Sequence, residues 1–184
     1  MRRVVVTGLG ALTPIGNTLH EYWDGLKNGK SGAEIITRFN PEKFKTKFAC
    51  EVKGYDSANF FDRKEVNKLD LYSQFALIAT DEAIKDSGLD LEKIDKDRAG
   101  VIWASGIGGL ETYFLAIKQH VLGDGTPRFS PFFIPKMIAD IAAGTISIKY
   151  GFRGPNFATV SACASSTNSI IDAFNYIRWE KADI

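Results

Sequence analysis

The sequence predicts an α/β fold, because short β-prone runs alternate along the chain with segments of helical periodicity. Three runs rich in β-branched and apolar residues are the predicted strands: RVVVT at 3–7, RAGVIWA at 98–104 and FATV at 157–160. In the other segments, apolar residues recur every three or four positions, which is the period of an amphipathic helix. The 184 residues are enough to form one domain with a sizeable core.

Sequence signals mark the ends of several predicted helices. Thr18 and Glu21 form a capping box at the start of the first helix. Gly88 is placed to end the long second helix, and Pro135 suits the first turn of the fourth. After the first helix, further helices are predicted at 63 to about 87, around 110–121, from 135 to near 151 and around 170–177. The last two residues, 183–184, resemble the start of a further strand.

The composition excludes several classes of protein. The formal net charge is +1, so the total charge gives no indication of nucleic-acid or membrane-surface binding. No apolar run approaches the roughly 20 residues of a membrane span. No targeting peptide is visible, and Cys50 and Cys163 are the only cysteines, which indicates a reducing compartment without a disulfide framework. We therefore expect a cytoplasmic protein.

Three glycine-containing segments imitate nucleotide-binding motifs but lack required residues. Gly8 and Gly10 would need a third glycine at position 13, which is Thr13. The segment 105–109 (SGIGG) misses its third glycine in the same way. Gly29-Lys30-Ser31 resembles the end of a P-loop, but no glycine stands five residues earlier and a predicted helix precedes it. The sequence therefore does not predict a nucleotide site.

Cys163 occupies the most informative position in the chain. A β-prone run ends at Val160, six small residues follow, and a helical pattern then begins. The thiol is therefore predicted at a strand-to-helix turn, where free amides and the helix dipole favour negative charge. Such a thiol is a candidate nucleophile. From spacing alone, a buried structural cysteine is an equally good interpretation.

The sequence around Cys163 resembles the nucleophile loop of the β-ketoacyl-acyl carrier protein synthases, most closely the KAS II type. The family pattern T/S-A-C-A/T-S/T is matched by 161–165 (SACAS), and the lead-in YGLRGP by 150–155 (YGFRGP). The segments 4–17 (VVVTGLGALTPIGN), 105–110 (SGIGGL) and 130–135 (SPFFIP) are also similar. The resemblance runs from Arg2 to the last residue.

This resemblance implies the N-terminal half of a thiolase-like fold, which is a mixed five-stranded sheet with helices on its faces. Residues 1–184 would form that half, and the C-terminal half would be absent. In the family, two catalytic histidines, a lysine and one oxyanion amide come from the second half. His20 and His120 do not lie in family-like context, so both are interpreted as structural or surface residues. The piece alone is expected to be inactive.

The resemblance also implies roles for individual residues. Cys163 would be the nucleophile, and its own N–H would form half of the oxyanion hole. Asn67 replaces an arginine that the family pattern would have at a carrier contact. The remaining implied roles are lining of the acyl pocket and binding of the carrier protein: Ile107, Phe133 and Ile134 for the former, and Lys64, Lys68 and Arg128 for the latter.

The implied reaction is decarboxylative Claisen condensation in fatty acid elongation. An acyl thioester on Cys163 would condense with malonyl-acyl carrier protein to give a 3-oxoacyl-acyl carrier protein. No metal or redox cofactor is implied, because the phosphopantetheine arm arrives on the carrier protein. A homodimer is expected. The alternatives are a polyketide-type ketosynthase and a non-catalytic subunit resembling a chain-length factor, although such subunits typically lack the cysteine.

Overall fold

The computed structural model describes residues 2–184, and it confirms the α/β class. The helices are α1 (Leu19–Lys27), α2 (Arg63–Lys68), α3 (Leu71–Ser87), α4 (Leu110–Leu122), α5 (Phe133–Met137), α6 (Ile141–Tyr150) and α7 (Ser165–Arg178). The strands are β1 (Glu34–Ile35), β2 (Phe48–Ala49), β3 (Val101–Ala104) and β4 (Asn156–Thr159). Among these residues, no helix combines the length and the apolar character that a bilayer span requires.

The chain divides into two compact units. The larger unit contains the residues up to Val6 together with Phe61–Leu77 and Asp90–Ile184. The smaller unit contains Thr7–Phe60 and Ile78–Leu89. Helix α3 contributes its first half to the larger unit and its second half to the smaller one.

The larger unit is built on a parallel pair of strands. Val101 to Ala104 of β3 pair in register with Asn156 to Thr159 of β4, and α6 and α7 both pack against this pair. Small and apolar side chains of α6 are fully buried here, because a helix must lie close to a two-stranded sheet to cover it. The buried apolar residues of this region are Ala99, Val101, Ala142, Ala143, Ile146 and Phe152.

The sheets are smaller than the expected five-stranded sheet. Within residues 2–184, β3 and β4 form one two-stranded sheet, and β1 and β2 form a second, antiparallel one in the smaller unit. The predicted strand at 3–7 is not a strand, and Val5 and Val6 are exposed. Its composition is β-prone, but a strand also needs a partner backbone, and this run is paired in neither sheet.

Two of the predicted helices are interrupted, and both interruptions expose backbone groups to new partners. The helix predicted from 63 to about 87 breaks where Leu69 adopts an extended conformation, which separates α2 from α3. The helix predicted from Pro135 to near Gly151 breaks at Ile138, which separates α5 from α6. The predicted ends at Gly88 and Gly151 are confirmed, since both glycines adopt left-handed conformations just after their helices.

Asp70 explains the first break. Its buried carboxylate accepts hydrogen bonds from the N–H of Tyr72, 3.2 Å away, and from the N–H of Thr112, also 3.2 Å away, and a further one from the Thr112 hydroxyl. The same side chain therefore caps the start of α3 and, from a distance, the start of α4. Helix α4 needs this help because its own N-cap is Gly109, which has no side chain.

The break between α5 and α6 supplies hydrogen-bond acceptors to the same region, where α3 and α4 begin. Tyr72 donates its hydroxyl hydrogen bond to the carbonyl of Ile138, and the N–H of Gly109 donates to the carbonyl of Met137 at 2.9 Å. Both carbonyls are available because the helix stops between α5 and α6. Burial raises the pKa of Tyr72, with smaller contributions from the carboxylates of Asp70 and Asp140, which further favours the protonated hydroxyl that donates this bond.

In the smaller unit, the loop after Thr7 lies directly on the second half of α3. A Cβ added to Gly10 would fall 1.9 Å from the carbonyl oxygen of Ala79, so only glycine permits this approach. The Glu82 carboxylate then accepts the N–H groups of Ala11 and Leu19, each at 2.8 Å. The N–H of Leu9 donates in the same way to the Asp86 carboxylate at 2.9 Å, so the loop is held by close packing and by two carboxylates of α3.

The C-terminal residues are tied to the start of β3. Asp183 accepts two hydrogen bonds from the Arg98 guanidinium, at 2.6 and 3.0 Å, and a further one from Arg2. The N–H of Gly100 donates to the Ile184 carbonyl at 2.8 Å. Asp183 and Ile184 do not form a strand. Their backbone groups nevertheless bond to Arg98 and Gly100, next to the start of β3, as a neighbouring strand would.

We expect the substitution Asp70→Ala to lower the free energy of unfolding by about 1–3 kcal/mol, because it removes the cap of two helices and leaves a part-buried Thr112 hydroxyl without its acceptor. Urea denaturation of the full-length protein measures this change. Asp95→Ala is the matched control, since Asp95 is exposed and caps a single 3-10 turn. An equal loss in the two variants would contradict the role assigned to Asp70.

We expect Asp183 to contribute a pH-dependent stability. Hydrogen bonds from Arg98 and then Arg2 hold the pKa of Asp183 well below its ordinary value of 3.8. A carboxylate whose pKa is depressed by folding stabilises the folded state above the unfolded-state pKa, and this contribution is lost as the pH falls through the lower, folded-state value. The stability gap between the wild type and Asp183→Asn should therefore shrink as the pH is lowered below about 4.

Urea denaturation at several pH values between 3 and 7 measures this gap. In the double variant Arg98→Ala/Asp183→Asn, the two effects should not add, because each substitution removes the same ion pair. A gap that stays constant across this range would contradict the prediction.

Candidate functional site

The parallel pairing of β3 and β4 brings two loops to the same edge of the sheet. Ala104 is opposite Thr159 in the register, and each strand ends at that residue. Ser105–Gly109 follows β3, and the turn that contains Cys163 follows β4. A Cβ added to Gly106 would lie 3.8 Å from the carbonyl oxygen of Ala162, so the two loops are adjacent. The carboxyl ends of parallel strands are the usual place for ligand sites in α/β folds.

Cys163 lies in a short 3-10 turn immediately before α7, and it is exposed. Ala162 has a φ of +48°, which is the left-handed region that a residue with a Cβ seldom adopts. The turn uses the N–H groups of Ala164 and Ser165, which donate to the carbonyls of Ser161 and Ala162. The N–H of Cys163 takes no part in either bond. The prediction of a strand-to-helix turn is confirmed.

The side chain of Ser165 connects both sides of this turn. Its hydroxyl accepts a hydrogen bond from the N–H of Ser161 at 2.8 Å and donates one to the carbonyl of Ala162 at 2.7 Å. Ser165 is only 3% exposed. Asn168, one turn further along α7, donates its side-chain amide to the Ser161 hydroxyl at 2.6 Å. Two residues of α7 therefore hold the two residues that precede Cys163.

Thr159 anchors the other end of the same loop. Its hydroxyl donates to the carbonyl of Ser165 at 2.9 Å and lies 2.6 Å from the hydroxyl of Ser169, which is also buried. The apolar residues of α7 have a different environment. Ile170 is 70% exposed and Phe174 is 40% exposed, so the polar side of this helix packs on the loop while much of its apolar side does not.

The glycine loop after β3 is held by backbone contacts. Gly108 has a φ of +87°, and a Cβ there would fall 2.3 Å from the carbonyl oxygen of Met137. The Ser105 hydroxyl accepts the N–H of Gly108 at 2.8 Å. Ile107 is presented at the outside of this loop with 68% of its surface exposed. The structure therefore places the predicted acyl-pocket residue on the loop beside the Cys163 turn.

The other two predicted acyl-pocket residues lie on α5. The ring of Phe133 packs against those of Phe129, with centroids 5.3 Å apart, and Tyr113, with centroids 6.3 Å apart. Ile134 is half exposed. Helix α5 packs against α4, and its C-terminal end meets Gly109 through the Met137 carbonyl. The aromatic cluster and the glycine loop are thus parts of one connected region.

The three predicted carrier contacts lie on exposed positions of the larger unit. Lys64 and Lys68 are on α2, and the ammonium group of Lys68 lies 5.8 Å from the centre of the Phe132 ring. Arg128 is paired with Asp124 at 3.0 Å and remains largely exposed. These positions present positive charge at the surface, and their role in binding stays a prediction.

The two histidines and the second cysteine differ in their surroundings. His20 is exposed on α1, with its Nδ1 3.3 Å from the Asp24 carboxylate. His120 is in the last turn of α4, where its ring packs on Phe129 with centroids 5.5 Å apart. His20 is thus a surface residue, whereas the Nδ1 of His120 is buried and has no hydrogen-bond partner among the described residues. Cys50 follows β2 in the smaller unit and is exposed.

The sequence patterns do not single out Asp70, Ser165 or Asn168. An aspartate within a predicted helix is a residue type that favours helix starts, which was the available signal for Asp70. Short polar side chains next to a turn often bond to nearby backbone groups, which was the signal for the other two. Their partners become visible only with the folded chain.

Comparison with known proteins gives a consistent result. The profile of the family described as "Beta-ketoacyl synthase, N-terminal domain" matches residues 1–184. The "3-oxoacyl-[acyl-carrier-protein] synthase 2" of Staphylococcus aureus (strain COL) is 44% identical over 182 residues, which are 99% of this chain and 44% of that protein. The protein of the same name from Synechocystis sp. (strain ATCC 27184 / PCC 6803 / Kazusa) is 47% identical over 178 residues, which are 96% of this chain and 42% of that protein.

A solved structure supports the same assignment. "The ishigamide ketosynthase/chain length factor" superposes with a TM-score of 0.86 at 28% identity, and the match covers 98% of this chain and 45% of that one. The expected thiolase-like α/β fold is therefore confirmed. The chain spans less than half the length of the relatives that it matches. With the profile match over all 184 residues, the chain belongs to the beta-ketoacyl synthase family and corresponds to its N-terminal domain.

Proposed function

We propose that the full-length protein is a 3-oxoacyl-acyl carrier protein synthase that extends fatty acids by decarboxylative condensation. The observation that carries this proposal is Cys163, an exposed thiol on a strained turn at the start of α7, at the carboxyl edge of a parallel strand pair. Family membership and the names of the relatives support the choice of reaction.

In the proposed first step, the Cys163 thiolate attacks the thioester carbonyl of an acyl-acyl carrier protein. The carbonyl π electrons move onto oxygen, and the Cys163 N–H stabilises that oxyanion as one of two donors. The oxyanion then collapses and expels the phosphopantetheine thiolate of the carrier, which leaves the acyl group on Cys163. The exposed position of the thiol on the turn before α7 supports this assignment.

In the proposed second step, malonyl-acyl carrier protein loses CO2 and becomes a carbanion. The carbanion attacks the acyl-Cys163 carbonyl, the Cys163 thiolate leaves, and the product is a 3-oxoacyl-acyl carrier protein two carbons longer. This electron balance requires no metal and no redox cofactor. We propose that the decarboxylation step uses two other histidines and a lysine, and that these residues and the second oxyanion donor belong to a C-terminal half beyond residue 184. We also propose that residues 1–184 alone are inactive.

We propose that the acyl chain passes beside Ile107 of its own subunit and then toward Phe133 and Ile134 of a second subunit. The adjacency of the glycine loop and the Cys163 turn supports the first contact. Phe133 and Ile134 would wall the pocket of a second subunit in a homodimer. Exposed apolar residues on α4, α5 and α7 are suited to interfaces with that subunit and with the C-terminal half. We place the enzyme in the cytoplasm, where acyl carrier proteins are substrates.

For the carrier protein we propose a docking surface formed by Lys64, Lys68 and Arg128. Acyl carrier proteins are acidic, so exposed cations would guide their approach and raise the rate of association. Asn67 lies between the two lysines in the sequence, where the family pattern has an arginine. This surface therefore has one cation fewer than the family pattern would give it.

A polyketide-type ketosynthase is the second candidate, and the structural match to a ketosynthase/chain-length factor favours considering it. The two candidates use the same acyl-cysteine and differ in the acyl acceptor and in the number of extensions. A non-catalytic subunit is disfavoured by the presence of Cys163. Acceptor and product profiling of the full-length protein would separate them, since a single extension per acyl chain is expected of the fatty acid enzyme.

The first test concerns the nucleophile. On incubation with a long-chain acyl-acyl carrier protein, the intact mass of the full-length protein should increase by one acyl group, and Cys163→Ala should abolish this gain. Cys50→Ala is the matched control and should keep the adduct, because Cys50 is also exposed but lies in the smaller unit. A folded wild-type protein without an adduct would reject Cys163 as the acyl acceptor and favour the non-catalytic subunit.

The second test concerns the carrier surface. The double variant Lys64→Glu/Lys68→Glu should raise KM for acyl-acyl carrier protein by about tenfold or more and leave transfer from a small acyl thioester unchanged, because charge reversal acts on docking and not on chemistry. Lys43→Glu, at an exposed lysine of the smaller unit, controls for net charge. Equal effects with both acyl donors would contradict the docking assignment.

A further inference from the structure

The residue that we single out is Ser165, which lies two positions after the cysteine on α7. Its hydroxyl faces back toward the loop and bridges the Ser161 N–H and the Ala162 carbonyl, at 2.8 and 2.7 Å. A serine in the first turn of a helix more often caps the helix's own amides. Here no side chain caps α7, and the Ser165 hydroxyl is used entirely on the turn before Cys163.

The bridged residues are the ones that set the direction of the Cys163 backbone. Ala162 is in the left-handed region, and such a conformation persists only where the surroundings hold it in place. Ser165 supplies that support from a position that is 3% exposed, so water cannot replace its hydroxyl easily. If Ala162 relaxed toward an ordinary φ, the peptide between Ala162 and Cys163 would rotate, and this peptide carries the Cys163 N–H.

Asn168 reinforces the same arrangement. Its side-chain amide donates to the Ser161 hydroxyl at 2.6 Å, so Ser161 is held through its backbone by Ser165 and through its side chain by Asn168. Both anchoring residues are on α7, which is one rigid element. The turn is therefore fixed relative to the helix whose open N-terminus lies next to the thiol.

We propose that Ser165 is a positioning residue for acyl transfer, which keeps Ala162 in its left-handed conformation and thereby aims the Cys163 N–H at the developing oxyanion. This inference rests on the proposed function. Ser165 does not touch the acyl group and acts only through Ala162. Asn168 supports the same conformation through its hydrogen bond to Ser161, with a smaller effect than Ser165.

The proposal predicts that two reactions of Cys163 respond differently to Ser165→Ala. Alkylation by iodoacetamide needs an accessible thiolate and no oxyanion donor, whereas acyl transfer from acyl-acyl carrier protein needs both. Misplacement of a catalytic group by about 1 Å costs about 100-fold in rate, so acyl transfer should slow by up to that factor. Alkylation of the folded variant should proceed nearly as in the wild type across pH 6–9.

The experiment uses the full-length protein and measures both rates on the same preparations. Ser165→Thr keeps the hydroxyl and should restore much of the acyl-transfer rate. Ser166→Ala is the matched control, because it removes an exposed hydroxyl from the neighbouring position and should leave both rates unchanged. Thermal unfolding of each variant gives the folded fraction to which the rates are normalised.

An unchanged acyl-transfer rate in Ser165→Ala, or a parallel fall of both rates, would overturn the positioning role. If Ser165→Ala does not fold, Asn168→Ala takes its place, with a smaller selective loss of acyl transfer expected and an absence of any loss counting against the proposal. A wild-type protein that is alkylated at Cys163 but never acylated would overturn the proposed function, and this inference with it.

Discussion

The parallel pairing of β3 (Val101–Ala104) with β4 (Asn156–Thr159) is the interaction on which the candidate site depends. Because the two strands end at paired residues, the loops that follow them leave the sheet at the same level. One loop carries Ile107 and the other carries Cys163. A shift of the register by one residue would move one loop along the sheet and turn its strand's side chains to the opposite face. The helices α6 and α7 lock this register by covering the pair.

The two helices that start at this edge differ in the chemical group that lies at their N-termini. Neither α4 nor α7 has a side-chain cap of its own. At the start of α4 the buried carboxylate of Asp70 accepts the N–H of Thr112, so an anion already occupies this helix end. At the start of α7 no side chain caps the helix, and its positive end lies next to Cys163. One helix end therefore serves the structure, while the other stays open to a thiolate or to an oxyanion.

The placement of polar and apolar residues on α7 follows from this arrangement. The side that packs on the nucleophile turn carries Ser165, Asn168 and Ser169, whose hydrogen bonds define the turn. Much of the apolar side, including Ile170 and Phe174, is exposed in this chain. A surface of this kind is stabilised by burial against another protein surface. That requirement agrees with a chain that spans less than half the length of its relatives.

The sequence by itself determined the α/β class, most helix positions, the turn at Cys163 and the family, because these follow from local periodicity and from short motifs. It did not determine the breaks at Leu69 and Ile138, because each is stabilised by partners that are distant in sequence, such as Thr112 for Asp70 and Tyr72 for Ile138. The run at 3–7 has strand composition, but pairing is a property of two segments and not of one. Only the tertiary structure assigned Ser165 its bridge, since a serine hydroxyl has several local partners and folding selects among them.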